Sequence, residues 1–128
     1  MKKCLVVDDQ EGWRKYNSEI LCELYGSNIS VDTADSAAEG YSLIIENNNE
    51  PYDVIITDLQ MESDYEPKLA GEWLVEQIQL MSGYYKTQIV IISASYKLNR
   101  IADNLGVLYI PKSVAMHSIS AYEQILSK

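Results

Sequence analysis

Val54-Ile55-Ile56-Thr57-Asp58 is a near-continuous apolar run that ends on an acid. Apolar side chains at successive positions suit a strand buried on both faces of a parallel sheet. Three other runs have the same character, at residues 4–7, 89–92 and 107–110. A fifth, Ile-Ser-Val-Asp-Thr-Ala at 29–34, alternates more and reads as closer to a sheet edge. Between the runs the apolar period becomes helical. Trp13, Tyr16, Ile20 and Leu24 share one face of a first helix, which Gly26 stops. Ser36 and Glu39 form a capping box for a second, with Ala37, Tyr41, Ile44 and Ile45 inward and Asn47, Asn48 and Asn49 ending it. Leu74, Ile78 and Met81 line a third, closed by Gly83. A short fourth spans about 96–104, before Gly106, and Ser113 caps a fifth with Ile119, Tyr122 and Leu126 inward. Five strand–helix units joined in this order make parallel strands with helices on both faces. The expected fold is an open, doubly wound α/β sheet, whose ligand site lies beyond the carboxyl ends of the strands.

The whole chain, 1–128, has the length of one ordinary domain, and 47% apolar residues suffice for a real core. No apolar run approaches the ~20 residues of a membrane span. Asp8 and Asp9 interrupt the N-terminal run too early for a signal peptide. The sequence therefore reads as soluble and cytoplasmic, with no membrane partner. A net charge of −9 without a Lys/Arg cluster repels phosphate backbones, so direct nucleic-acid binding is not expected. Cys4 and Cys22 have no ligand-type spacing and read as small core hydrophobes, and His117 reads as a surface residue.

The strand ends carry the chemistry. Strand one ends in Asp8 and Asp9, strand three in Asp58, strand four in Ser93, and Lys112 lies two residues past strand five. Each has an ordinary reading: acids starting a helix, a loop acid, an N-cap serine, a solvated lysine. Their conjunction on one rim is what counts. Three carboxylates packed together need a cation, and oxygen ligands suit Mg²⁺. One carboxylate beside Mg²⁺ can take a phosphoryl group as an aspartyl phosphate. Lys112 can pair with a phosphoryl oxygen and the Ser93 hydroxyl can donate to another.

The chain resembles the receiver domains of two-component response regulators over its whole length. The resemblance rests on Val-Val-Asp-Asp at 6–9, Val-Ile-Ile-Thr-Asp-Leu-Gln-Met at 54–61, Ile-Ile-Ser-Ala at 91–94 and Tyr-Ile-Pro-Lys at 109–112. It implies a flavodoxin-like fold, strand order 2-1-3-4-5 with five helices. It implies Asp58 as phosphoacceptor, Asp9 as direct Mg²⁺ ligand, Asp8 as a ligand through water, and the Gln60 backbone carbonyl as a further ligand. Ser93 matches the switch hydroxyl, Lys112 the phosphate-pairing lysine and Tyr109 the switch aromatic. The implied partner is a sensor histidine kinase or phosphotransfer protein. The implied output face is helix four, strand five and helix five, with an output partner the sequence does not name. Such a domain is a signalling phosphoacceptor, not an enzyme beyond slow self-dephosphorylation. No effector domain follows the fifth helix, which suits a stand-alone receiver or a fragment of a larger regulator or hybrid kinase.

Three features depart from the family pattern. The loop after Asp58 is about five residues longer than usual, with Gly71 thirteen residues on. Its Glu62, Asp64, Glu66 and Pro67 read as a solvated insertion, with a partner-specific flap as the alternative. The fourth helix is short. Ser113, not proline, follows Lys112, which leaves open whether that peptide bond is cis. The competing function is a receiver-like interaction module that works without phosphorylation. A flavodoxin-like electron carrier would need a hydroxyl- and glycine-rich loop where Asp8-Asp9-Gln10-Glu11 stands. A haloacid-dehalogenase-like phosphatase would need a second acid at Gln60.

Overall fold

The computed structural model describes residues 1–126. The order is β1 (Lys2–Val7), α1 (Glu11–Tyr25), β2 (Ile29–Ala34), α2 (Ala37–Glu46), β3 (Val54–Thr57), α3 (Ala70–Gln79), β4 (Gln88–Ser93), α4 (Leu98–Leu105), β5 (Leu108–Pro111) and α5 (Lys112–Ala115). Short 3₁₀ turns lie at Ser82–Tyr84 and Ile119–Ile125. The five strands are parallel, in the order β2-β1-β3-β4-β5. The doubly wound α/β expectation therefore holds, down to β2 as an edge strand.

Strand alternation divides the core between the two faces. Leu5, Val7, Ile55, Ile89 and Ile91 pack with Ile44, Leu74, Ile78 and Ile101, so α2, α3 and α4 cover one face. Cys4, Val6, Val54, Ile56, Val90 and Ile92 pack with Ile20, Leu21, Tyr122 and Ile125, so α1 and the C-terminal segment cover the other. The register places the site. Val7 lies level with Thr57, and Thr57 with Ile91. Asp8 and Asp58 are thus the next residues along two adjacent strands, and the Asp58 amide donates to the Val7 carbonyl at 3.0 Å. Ser93 lies level with Pro111, the residue before Lys112.

Several helices differ from expectation. α3 ends at Gln79, so Met81 lies beyond it and Gly83 falls in the following 3₁₀ turn. α4 begins at Leu98, leaving Tyr96 outside the helix and exposed. It closes on Gly106 in the left-handed region, where the Val107 amide reaches back to the Ala102 carbonyl. Ile45 of α2 is exposed rather than inward. The fifth helix is the largest departure: α5 is one turn, Ser113 is not its cap, and the chain continues as the 3₁₀ segment. Tyr122 and Ile125, three residues apart and so on one stripe of the 3₁₀ segment, both bury, while Ile119 at its start and Leu126 after it are exposed. The last two residues of the 1–128 span lie outside the described residues.

The two cysteines also part company. Cys4 is fully buried in β1, whereas Cys22 on α1 is exposed, so only the first is a core residue. Burial pushes the Cys4 thiol up to about 12. Iodoacetamide near pH ~8 is expected to label one thiol in the folded protein, at Cys22, and two after denaturation, as mass spectrometry would count. Among the described residues no helix is long and apolar enough to cross a membrane.

Candidate phosphoryl site

Asp8 and Asp58 are buried, at 1% and 5% exposure, and Lys112 at 8%. The Lys112 ammonium lies 3.0 Å from Asp8 Oδ2 and 3.0 Å from Asp58 Oδ2. The remaining carboxylate oxygens face backbone amides. Asp8 Oδ1 accepts from Gln10 at 3.0 Å, and Asp58 Oδ1 from Leu59 at 2.7 Å. Arg14 braces the turn by donating to the Asp8 carbonyl at 2.8 Å. Each buried carboxylate is held on both oxygens, so its orientation is set before any ligand arrives.

Burial raises the Asp8 carboxyl above its ordinary value, and the Asp58 charge adds to the rise; the Gln10 amide and Lys112 oppose it. A carboxyl raised by folding contributes stability at low pH that is lost as pH rises through its folded value. Asp8→Asn is therefore expected to be more stable than wild type at neutral pH without divalent cations. The difference should shrink as pH falls toward 3.8, the ordinary value for the carboxyl. Urea unfolding in EDTA across that range measures it.

Asp8, Asp9 and Asp58 each offer a carboxylate oxygen within 4.8 Å of the others. Three carboxylates against the Lys112 ammonium leave about two negative charges, which one divalent cation would neutralise. That donor set is hard, anionic and all-oxygen, and it fits Mg²⁺. Asp9 is exposed and lies with Gln10, Trp13, Gln60, Met61, Ala94 and Lys112 around a cleft of about 570 Å³ above Asp58. Ser93 is buried at 1% exposure, and its hydroxyl accepts from the Ser95 amide at 3.2 Å. Tyr109 is half-buried against the core on the α2–α4 face. The rim thus brings together Asp8, Asp9, Asp58 and Lys112, while Ser93 and Tyr109 stand behind it.

The loop after Asp58 is docked to the fold through Glu62 and Tyr65, while its Asp64, Glu66 and Pro67 are exposed as a solvated insertion would have them. Both Glu62 oxygens accept from the first turn of α2, from Ala37 at 2.8 Å and Ala38 at 3.0 Å. A helix N-terminus presents free amides and a positive dipole end, which suits this anion. Ser36 takes the third amide, that of Glu39, at 3.0 Å. Further along, Tyr65 stacks on Trp73 at 4.3 Å, and Trp73 meets Tyr41 at 5.2 Å. Among the described residues the one cis peptide bond is Glu66–Pro67, so the bond after Lys112 is trans. With no proline there, Lys112 heads the short helix α5.

Two residues at the site were not singled out in the sequence for a role there. Gly71 lets α3 approach the strand end that carries Asp58, where its amide donates to the Leu59 carbonyl at 3.0 Å. Trp13 was read only as part of the apolar face of the first helix; it packs against the core there, and its ring centroid also lies 4.9 Å from the Lys112 ammonium. Only the coincidence of Trp13 with the first turn after Asp8-Asp9 hinted at this.

A family profile described as the response regulator receiver domain matches residues 4–122. No curated protein matches the chain. Among solved structures, a response regulator receiver domain protein from Clostridium thermocellum is 27% identical, with a TM-score of 0.73 over 99% of this chain and 95% of that one. The Vibrio cholerae chemotaxis protein CheY4 is 22% identical, with a TM-score of 0.72 over 99% and 97%. A mutant receiver domain of the histidine kinase CKI1 from Arabidopsis thaliana is 24% identical, with a TM-score of 0.74 over 99% and 91%. The last two share the fold. With its family profile matched over nearly its full length and its acids and lysine meeting at the rim of a 2-1-3-4-5 sheet, the chain belongs to the response regulator receiver domain family of two-component signalling.

Proposed function

We propose that Asp58 accepts a phosphoryl group from a phosphohistidine on a sensor histidine kinase or phosphotransfer protein in the cytoplasm. The observation that carries this reading is the buried Asp58 carboxylate sharing the Lys112 ammonium with Asp8 at 3.0 Å each. Asp9 and Asp58 would hold Mg²⁺ directly, with the Gln60 carbonyl, and Asp8 through water. Bound there, the ion neutralises charge on the phosphoryl oxygens. The chain's own groups do the rest. A lone pair on an Asp58 oxygen forms the new O–P bond as the P–N bond to the donor imidazole breaks and its electrons stay on that ring. Lys112 moves from Asp58 Oδ2 to a phosphoryl oxygen, and its charge stabilises what the transfer brings.

The Ser93 hydroxyl then turns from the Ser95 amide toward the phosphoryl group, and Tyr109 follows inward. Ser93 ends β4 level with Pro111 of β5, and Tyr109 lies within β5, so the face formed by α4, β5 and α5 carries the signal. The 1–128 unit acts as a receiver that switches between two populated states. It turns over no substrate beyond slow hydrolysis of its own aspartyl phosphate.

Incubation with Mg²⁺ and acetyl phosphate is expected to add one phosphoryl group by intact-mass measurement. Asp58→Asn should add none. Equal responses from the two proteins would overturn the assignment and leave the phosphorylation-independent interaction module.

A further inference from the structure

We propose that Trp13 is a positioning residue whose indole face holds the Lys112 ammonium over the site during phosphoryl transfer. The inference rests on the phosphoryl-transfer reading of that site. Lys112 has three neighbours of two kinds: the carboxylates of Asp8 and Asp58, and the Trp13 ring with its centroid 4.9 Å from the ammonium. The carboxylates have other duties. Once Asp58 carries a phosphoryl group and Asp8 turns to a metal, both ion pairs weaken, and a lysine side chain left alone samples many rotamers. The ring has no competing duty. It attracts the ammonium through its quadrupole, an attraction that is stronger where the cation is desolvated, as the buried Lys112 is.

The ring is itself braced. Tyr16 meets Trp13 edge-on, at 5.5 Å and 85°. The Tyr16 hydroxyl donates to the Ala115 carbonyl at 2.8 Å. Ala115 is the last residue of α5, and Lys112 is the first. The helix that carries the lysine therefore meets Trp13 at its near end and is clipped at its far end to Tyr16, the ring packed against Trp13. That bracket ties α1 to α5 around the ammonium.

Trp13→Phe keeps an aromatic face, whereas Trp13→Leu keeps apolar bulk without one. Phosphoryl uptake from acetyl phosphate at saturating Mg²⁺ is expected to slow roughly 3- to 30-fold in Trp13→Leu and by less than about threefold in Trp13→Phe. Mg²⁺ affinity by calorimetry should be alike in all three proteins, because the carboxylates are untouched. A second readout needs neither metal nor phosphate. The chain has two tryptophans, so Trp73→Phe leaves Trp13 as the sole tryptophan, read by red-edge excitation that spares the ten tyrosines. Adding Lys112→Met should shift that emission, and adding Lys86→Ala, at the opposite rim, should not.

Equal rates for the leucine and phenylalanine variants in a protein whose wild type is phosphorylated would overturn the positioning role alone. So would Trp13 emission indifferent to Lys112→Met. A wild type that takes up no phosphoryl group would overturn the reading of the site, and the role of Trp13 with it.

Discussion

Gly71→Ala is expected to destabilise the fold by about 3 kcal/mol or more, at the upper end of what overpacking costs. A Cβ built on Gly71 lies 1.8 Å from the Asp58 carbonyl oxygen and 2.7 Å from the Leu59 Cα. Both neighbours are backbone, and no side-chain rotation relieves the overlap. Either α3 backs away or the strand end carrying Asp58 shifts. Backing away breaks the Gly71 amide bond to the Leu59 carbonyl and loosens Ala70, Leu74 and Val75, all buried in the α2–α4 core. Shifting the strand end moves Asp58 off its 3.0 Å contact with Lys112. The variant should therefore lose phosphoryl uptake along with stability. Gly12→Ala in α1 is the control, since its added Cβ meets nothing within 4 Å. That change should be neutral or stabilising by up to about 1 kcal/mol. Urea unfolding of both variants against wild type makes the comparison. A Gly71→Ala midpoint equal to wild type would mean that the close approach is absent in solution.

The close approach also shows where the sequence was legible and where it was not. Parallel strands buried on both faces announce themselves by unbroken Val/Ile runs, so β1, β3 and β4 could be read from local composition. Register followed, because the acids and the serine terminate those runs. Asp8, Asp58 and Lys112 were thus placed at one rim by strand ends alone, and they meet there. Gly71 required more. Its thirteen-residue distance from Asp58 reads as a lengthened loop, and nothing local says that this loop returns the glycine to the Asp58 backbone.

What failed in the reading was long-range. Glu62 looked like one of several solvated acids, because nothing local says that the amides of Ala37 and Ala38 stand opposite it. The apolar spacing of Ile119, Tyr122 and Leu126 fits a helix; in the observed 3₁₀ segment Tyr122 is buried as expected, but Ile125 joins it while Ile119 and Leu126 are exposed. Periods of 3.0 and 3.6 differ by too little over seven residues to be separated in a sequence. Tyr122 is held by its hydroxyl, which donates to Asn17 on α1 at 2.5 Å, a partner 105 positions away. Cys22 failed for a similar reason: residue type favours burial, but tertiary packing decides which part of a helix surface is covered.

Lys112→Met is expected to cost about 3–5 kcal/mol at neutral pH without divalent cations, the usual loss when one partner of a buried ion pair is removed. Asp8 and Asp58 would then face each other with no cation between them. Burial and the Asp58 charge already raise the Asp8 carboxyl, and Lys112 is one of the groups opposing that rise. Its removal lifts Asp8 further, so the deficit should be fully present near neutrality and fade as pH falls and Asp8 takes a proton. Mg²⁺ should return much of the lost stability by neutralising the same carboxylates, measurable as a larger rise in urea midpoint than wild type shows. It should not return phosphoryl uptake, which is expected to stay reduced by about 100-fold or more, because the ammonium also pairs with the group being transferred. Stability restored without uptake would separate the two roles of Lys112, as counter-ion to the empty site and as partner to the phosphoryl oxygen. Uptake restored together with stability would show that the lysine serves only the first.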